Sequence, residues 1–367
     1  MGNNFSTSIN ILRDTEKDFH YIPTPNGKQV AHQIVNDFKK GIRSFNIVGT
    51  YGTGKSSFLL ALEQSVRSKK RFFNVNFLDT PKVDFIKVVG GYSSIIQTFA
   101  DLLNVTGNRN KQENIFSEIF NKYYSLGKGN KILFVLIDEF GKFLEYASQH
   151  NPEDELYFIQ QLAEFCNNSK HNIVFITTVH QSFESYAFSL TGQQKQEWTK
   201  VKGRFREITF NEPVEQLLFL ASEYIGETVE AKAGKTVIEK SLKLNINTKA
   251  FNFNKDFLNQ IANKLYPLDI LSANVLTLSL QRYGQNERSL FSFLESTDHT
   301  GLSKFNKREN PFYNLACVYE YLNFNFYSFL TSKYNPDFSA WSSIRSALEE
   351  VERAFDHSIN DFAKIIK

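Results

Sequence analysis

At 367 residues, with a net charge of +3 and as many as 36 Phe and 16 Tyr, the chain has ample apolar surface for the cores of two or three domains. Its two cysteines, Cys166 and Cys317, lie far apart, which argues against a disulfide framework or a thiolate metal site and for a reducing, cytoplasmic compartment. The longest apolar run, 132–137, falls far short of the roughly 20 residues of a membrane span, and so small a net charge does not by itself demand nucleic acid.

Residues 1–20 read as a polar lead-in. The stretch 21–27 holds Pro23 and Pro25, which bias the residues before them away from helix. A helix is predicted next from Val30, Ile34, Val35 and Phe38, with a stop at Gly41. An extended piece and a helix just ahead of a phosphate loop often wall off a nucleotide base. Tyr21 and Ile22 are therefore candidates for an adenine pocket, with plain packing an equal alternative.

Phe45 to Val48 reads as a strand and Ser56 to Leu62 as a helix. Between them stands GTYGTGKS, residues 49–56, which fits G-x-x-x-x-G-K-S/T. Gly49, Gly52 and Gly54 let the backbone curl until its N–H groups point inward, with Thr50, Tyr51 and Thr53 carried in the same loop. A helix starting at Lys55, with Ser56 and Ser57 in its first turn, aims its positive end at the same place. Lys55 would reach the β- and γ-phosphates of ATP, and the Ser56 hydroxyl would ligate Mg²⁺.

The basic run 67–71 suits the carboxyl end of that helix better than a nucleic-acid contact. A second strand is predicted over 72–78, and helices over about 92–104 and 112–125. The wholly apolar 132–137 has the pattern of a central parallel strand covered on both faces. It ends in Asp138 and Glu139, the arrangement in which the first acid holds Mg²⁺ through water and the second polarises the attacking water. Helices follow over about 142–148 and 153–168, then a strand over 173–179. Its polar end is the place for a residue that senses the γ-phosphate: Thr178 first, then Thr177 or His180. A hydrophilic stretch with a lone tryptophan, 193–202, leads to Arg204, Arg206 and a strand at 208–210. Guanidinium geometry suits Arg204 to the transition-state charge in a neighbouring subunit; a surface salt bridge or a contact within the subunit is the alternative.

These parts, GTYGTGKSS at 49–57, ILFVLIDEF at 132–140, IVFITT at 173–178 and GRFREITFNEP at 203–213, resemble the AAA+ ATPases, nearest the origin-recognition-like and STAND-like branches. The resemblance covers about residues 20–215. It implies an α/β fold in which helices sandwich a parallel P-loop sheet and the sensor strand separates the two Walker strands, and it implies an oligomer or a nucleotide-governed switch. There is also a general likeness to large ATPases of bacterial multigene systems, including phage-defence islands, so partner proteins of such a system are expected alongside nucleic acid. The nucleotide-binding domain is set at 21–212.

An all-α lid is expected over 213–305, where Arg288 in the first turn of a helix capped by Gln285 or Asn286 would meet a nucleotide phosphate, or else pair with Glu287 or Asp298. Beyond 306 the pattern is helix-rich, and the resemblance implies a winged-helix module there. The apolar end at 362–367 reads as part of a longer chain. Two functions compete. One is an ATPase that remodels or loads a nucleic-acid or protein partner, using Lys55, Asp138, Glu139 and, across a subunit interface, Arg204. The other is an ATP-dependent signalling switch that assembles and activates a separate effector. A kinase-type transferase is disfavoured because no second acid–base pair offers an acceptor site.

Overall fold

Thr24 starts the first helix, α1 (Pro25–Lys39), by accepting from the Gly27 N–H, with Pro25 in the first helical position. Val30, Ala31, Ile34, Val35 and Phe38 form its buried face. The computed structural model describes residues 9–15, 21–107, 109–187, 190–211, 214–228, 235–248, 255–284, 287–306 and 311–354. They fall into two compact units, one over 8–211 and the other from 212 onward.

In the first unit β1 (Ser44–Val48) runs into the loop 49–54 and α2 (Lys55–Val66), whose 58–62 run is wholly buried. The strand expected at 72–78 does not form. Phe73 and Phe77 are buried there, and Ser65 Oγ accepts from the N–H groups of Phe72 and Phe73, so the alternating side chains are anchored without a ladder. The sheet position goes instead to β2 (Lys82–Val89). Next come α3 (Ile95–Leu102), α4 (Lys111–Ser125), β3 (Lys131–Asp138), α5 (Gly141–Gln149), α6 (Pro152–Asn167) and β4 (Ile173–Val179). The hydrophilic 193–202 stretch is a helix, α7 (Gly192–Lys202), started by a capping box between Thr191 and Gln194 and pinned by buried Trp198, whose Nε1 donates to Phe183 O at 2.8 Å. The last strand is β5 (Arg206–Thr209).

All pairings are parallel and the order is β2-β3-β4-β1-β5. β3 explains itself: Leu133, Val135 and Ile137 enter the core beneath α3 to α7, while Ile132, Phe134 and Leu136 enter the core beneath α1 and α2. Both faces are covered, as a continuous apolar run requires. A parallel sheet in this order brings the carboxyl ends of β1, β4 and β3 side by side, and places the approach to β5 at the opposite, amino edge.

The second unit is helical: α8 (Val214–Thr228), α9 (Lys235–Thr248), α10 (Lys255–Leu265), α11 (Ile270–Tyr283), α12 (Glu287–Glu295), α13 (Leu315–Asn325), α14 (Tyr327–Leu330) and α15 (Phe338–Ala354). Asp269 caps α11 by accepting from Leu271 and Ser272 N–H. Tyr313 N donates to Pro267 O at 2.8 Å and Tyr313 O accepts from Asp269 N, so the chain beyond 306 packs with the preceding helices as one unit. Among the described residues from 214 on there is no strand, only the isolated bridge between Leu268 and Tyr313, so the winged-helix expectation is not met there. Among the described residues no helix is long and apolar enough to cross a membrane, and both cysteines are free.

Candidate active site at the carboxyl edge of the sheet

The phosphate loop is fixed at both ends. Gly49 N donates to Val179 O at 3.1 Å, tying it to the end of β4. A side chain cannot be added here, because a Cβ on Gly49 would lie 2.1 Å from Phe210 O. Gly52 and Gly54 take φ of +73° and +78°, the left-handed region where glycine costs least. Thr53 Oγ1 donates to Thr50 O at 2.9 Å and stiffens the curl. Gly54 is the N-cap of α2 and supplies no side-chain acceptor. The first N–H groups of that helix, on Lys55, Ser56 and Ser57, therefore have neither an intrahelical partner nor a side-chain cap, which is the arrangement an anion takes up.

Lys55 Nζ donates to Gly49 O at 2.5 Å and Thr50 O at 2.8 Å, so the ammonium lies within the loop. Burial lowers its pKa to about 8, while Asp138 and Glu139 pull the other way. That opposing pull ties the two sequence motifs together: the acids of β3 act on the lysine of the loop.

Asp138 closes β3 and is only 4% exposed. Its Oδ1 accepts from Thr178 Oγ1 at 2.6 Å and from Glu139 N at 3.1 Å, and Thr178 Oγ1 also accepts from Glu139 N at 3.0 Å. Thr178 is 1% exposed with its hydroxyl taken up in this way. The hydroxyl expected to meet the γ-phosphate is bonded here to Asp138 Oδ1 and Glu139 N. Thr177 faces the other side, donating to Asn46 Oδ1 at 2.8 Å. Glu139 has a left-handed φ of +54° and a half-exposed carboxylate that meets Lys142 Nζ at 2.5 Å.

Sequence reasoning did not single out Lys142, or Gly90 at the end of β2. A Cβ on Gly90 would lie 2.1 Å from Glu139 O, and Gly90 N donates to Asp138 O at 2.7 Å. The glycine pair closing the alternating run 82–89 was the available signal for that close approach.

Magnesium fits the donors present. Ser56 opens α2 and Asp138 closes β3 at the same edge, and a hydroxyl and a carboxylate are the hard oxygen ligands this ion takes alongside water and phosphate.

The remaining candidates are spread more widely. Tyr21 and Ile22 are buried, and the Tyr21 ring meets Phe72 and Phe73 edge-on at 5.6 and 5.7 Å, which is the packing alternative for that residue. Arg204 stands two residues before β5, whose Arg206 pairs with Phe45 near the start of β1. Arg204 lies before the amino end of β5, whereas the phosphate loop follows the carboxyl end of β1. Its Nε bonds Glu164 at 2.7 Å. Arg67 pairs with Glu63 at 3.0 Å and lies over the Phe85 ring at 4.5 Å, in keeping with a structural role. Arg288 is exposed in the first turn of α12; its expected caps, Gln285 and Asn286, lie outside the described residues.

No protein-family model matches this chain, and no curated protein does. Among solved structures, the ORC2 protein of Aeropyrum pernix in its ADPNP–ADP complexes is similar at 12% identity over 74% of this chain and 76% of that one, with a TM-score of 0.40. C. elegans PCH-2 is similar at 15% identity over 72% and 66%, TM-score 0.36. AMPPCP-bound DnaA from Aquifex aeolicus is similar at 13% identity over 93% of both chains, TM-score 0.35. Scores of this size carry no argument by themselves; the strand order and the loop do. The fold is a parallel P-loop sheet in the order β2-β3-β4-β1-β5, with GTYGTGKS between β1 and α2 and helices on both faces.

Proposed function

We propose that this chain is an AAA+-type ATPase that couples Mg-ATP hydrolysis to remodelling or loading on a nucleic-acid or protein partner. One observation carries the reading: Lys55 and the Asp138–Glu139 pair, 83 and more residues apart in sequence, are electrostatic neighbours at one sheet edge. The loop N–H groups and Lys55 bind the β- and γ-phosphates. Ser56 and Asp138 would hold a magnesium ion, which would supply positive charge to the phosphate oxygens when bound. Thr178 orients Asp138. Glu139 polarises the attacking water once its carboxylate leaves Lys142. Ile22 and the neighbouring Tyr21 flank the adenine.

Arg204 acts in the site of a neighbouring copy in a homo-oligomer, and the protein works in the cytoplasm. Its amino-edge position, remote from its own loop, supports action across an interface. The experiment is an ATPase assay with and without double-stranded DNA at two salt concentrations. Stimulation that fades with salt is expected for a nucleic-acid partner. DNA-indifferent turnover would move the partner to protein, and absence of any turnover with intact ATP binding would favour the signalling switch.

A further inference from the structure

Three segments meet at the carboxyl edge: the phosphate loop after β1, the acidic turn after β3, and the chain that leaves β4. Side chains join them in a specific way. Tyr51, in the loop, lays its ring on the His180 imidazole with centroids 4.4 Å apart and planes 22° from parallel. On its other side His180 bonds Tyr186 through Nδ1, 3.0 Å from the hydroxyl. Tyr186 lies in the short 3-10 turn Phe183–Ala187 and is buried. Its hydroxyl rests on Gly141, where a Cβ would stand 2.2 Å away. Gly141 begins α5 directly after the acidic turn.

The charges agree with this geometry. Tyr51 lies in the field of Glu145, Glu139 and Lys142, of which Glu145 and Lys142 are on α5 and Glu139 is in the turn before it. The same three, with Lys55, act on His180, whose pKa is lowered chiefly by burial. Tyr51 reaches this stack while 59% exposed, so burial of its ring gives little reason for the placement. Stacking between aromatic rings contributes about 0.5–1.5 kcal/mol and fixes an orientation as well as a distance.

We propose that His180 is a positioning residue for hydrolysis, clamped between Tyr51 and Tyr186 so that it fixes the spacing between the phosphate loop and the turn that carries Glu139. The inference rests on the ATPase reading above for its catalytic part. Its structural part stands without nucleotide.

Two readouts separate these parts. In turnover, His180→Ala lowers kcat about 10- to 100-fold, the range for misplacing a catalytic group by about 1 Å, while Kd for a fluorescent ATP analogue changes less than about threefold. Tyr186→Phe and His180→Phe, which lose the hydrogen bond, fall between His180→Ala and the unaltered protein. In the nucleotide-free protein, amide hydrogen exchange of His180→Ala rises together at 49–54 and 139–142, with the strands unchanged. Unchanged exchange in both segments, or a kcat within about twofold of the starting value, overturns the clamp. A concerted rise in exchange in a protein that never hydrolyses ATP leaves the clamp standing and overturns the ATPase reading instead.

Discussion

Replacing Thr178 with valine removes one hydroxyl and almost no volume, so the change is chemical and not a cavity. That hydroxyl donates to Asp138 Oδ1 at 2.6 Å and accepts from Glu139 N at 3.0 Å, at a position 1% exposed. A hydrogen bond to a charged acceptor contributes about 1.5–3 kcal/mol, and a buried acceptor left short of a donor bears the desolvation cost. Glu139 N keeps its second acceptor, Asp138 Oδ1 at 3.1 Å, so the loss on that side is small. Thr178→Val should therefore destabilise the first unit by about 2 kcal/mol, a fall of about 4–8 °C in Tm for a unit of this size. The assay is urea unfolding at unchanged slope, with steady-state ATPase beside it. Turnover should drop about tenfold or more because Asp138 is free to rotate, and Thr178→Ser should restore both quantities. The reasoning is refuted if Thr178→Val unfolds within about 0.5 kcal/mol of the starting protein while losing turnover. That result would put the hydroxyl on the phosphate and not behind the acid.

Gly49→Ala forces a Cβ against the Phe210 carbonyl, a backbone atom that cannot swing away. It should destabilise by about 1–3 kcal/mol and weaken ATP binding, as thermal unfolding and nucleotide titration would read. Glu155 is buried and its pKa is raised chiefly by that burial, although Ser94 and the N–H groups of Ile95 and Ile96 bond it. The folded state thus holds the proton more tightly than the unfolded one. The stability this contributes is full below the unfolded pKa and is lost as pH rises through the folded value. Glu155→Gln keeps an oxygen for Ile95 N, now 3.1 Å from the carboxylate. Its Tm should match or exceed that of the unaltered protein at pH 8, with the margin shrinking as pH falls toward the unfolded pKa; a margin that grows on acidification contradicts this. Mixing Arg204→Ala protomers with Glu139→Gln protomers should recover part of the ATPase activity, since each supplies what the other lacks. Lack of recovery at every ratio would leave Arg204 with its Glu164 partner and no trans role.

The parts of the fold most legible in the sequence were those with a single physical solution. A strand feeding GTYGTGKS needs glycines at 49, 52 and 54, and a six-residue apolar run ending in two acids needs cover on both sides; β1, α2, β3 and β4 follow. Competition between segments was not legible. Residues 72–78 alternate as a strand should, but 82–89 pair with the whole length of β3, and the earlier stretch is held by its phenylalanines. α7 hid because its anchors are few, chiefly Trp198 and Val201, although Thr191 and Gln194 spell a capping box. In α9 the apolar residues Val237, Ile238, Leu242, Leu244 and Ile246 follow no clean helical period, so the sequence does not mark its bounds within the expected lid.

The site divides in the same way. That Lys55 and Ser56 open the helix after β1, and that Asp138 and Glu139 stand at the end of β3, was readable from spacing. The roles of Thr178, His180 and Gly90 depend on which strand lies beside which. Only the order β3-β4-β1 reveals that the end of β4 stands between the loop and the acids.

The central claim is that one loop and one strand end share a magnesium-bound triphosphate. Calorimetric titration of Mg-ATP into three purified forms, with phosphate release measured on the same samples, tests it most directly. The unaltered chain should bind and hydrolyse, Glu139→Gln should bind without turnover, and Lys55→Ala should do neither. Binding by Lys55→Ala as tight as that of the unaltered chain would contradict it.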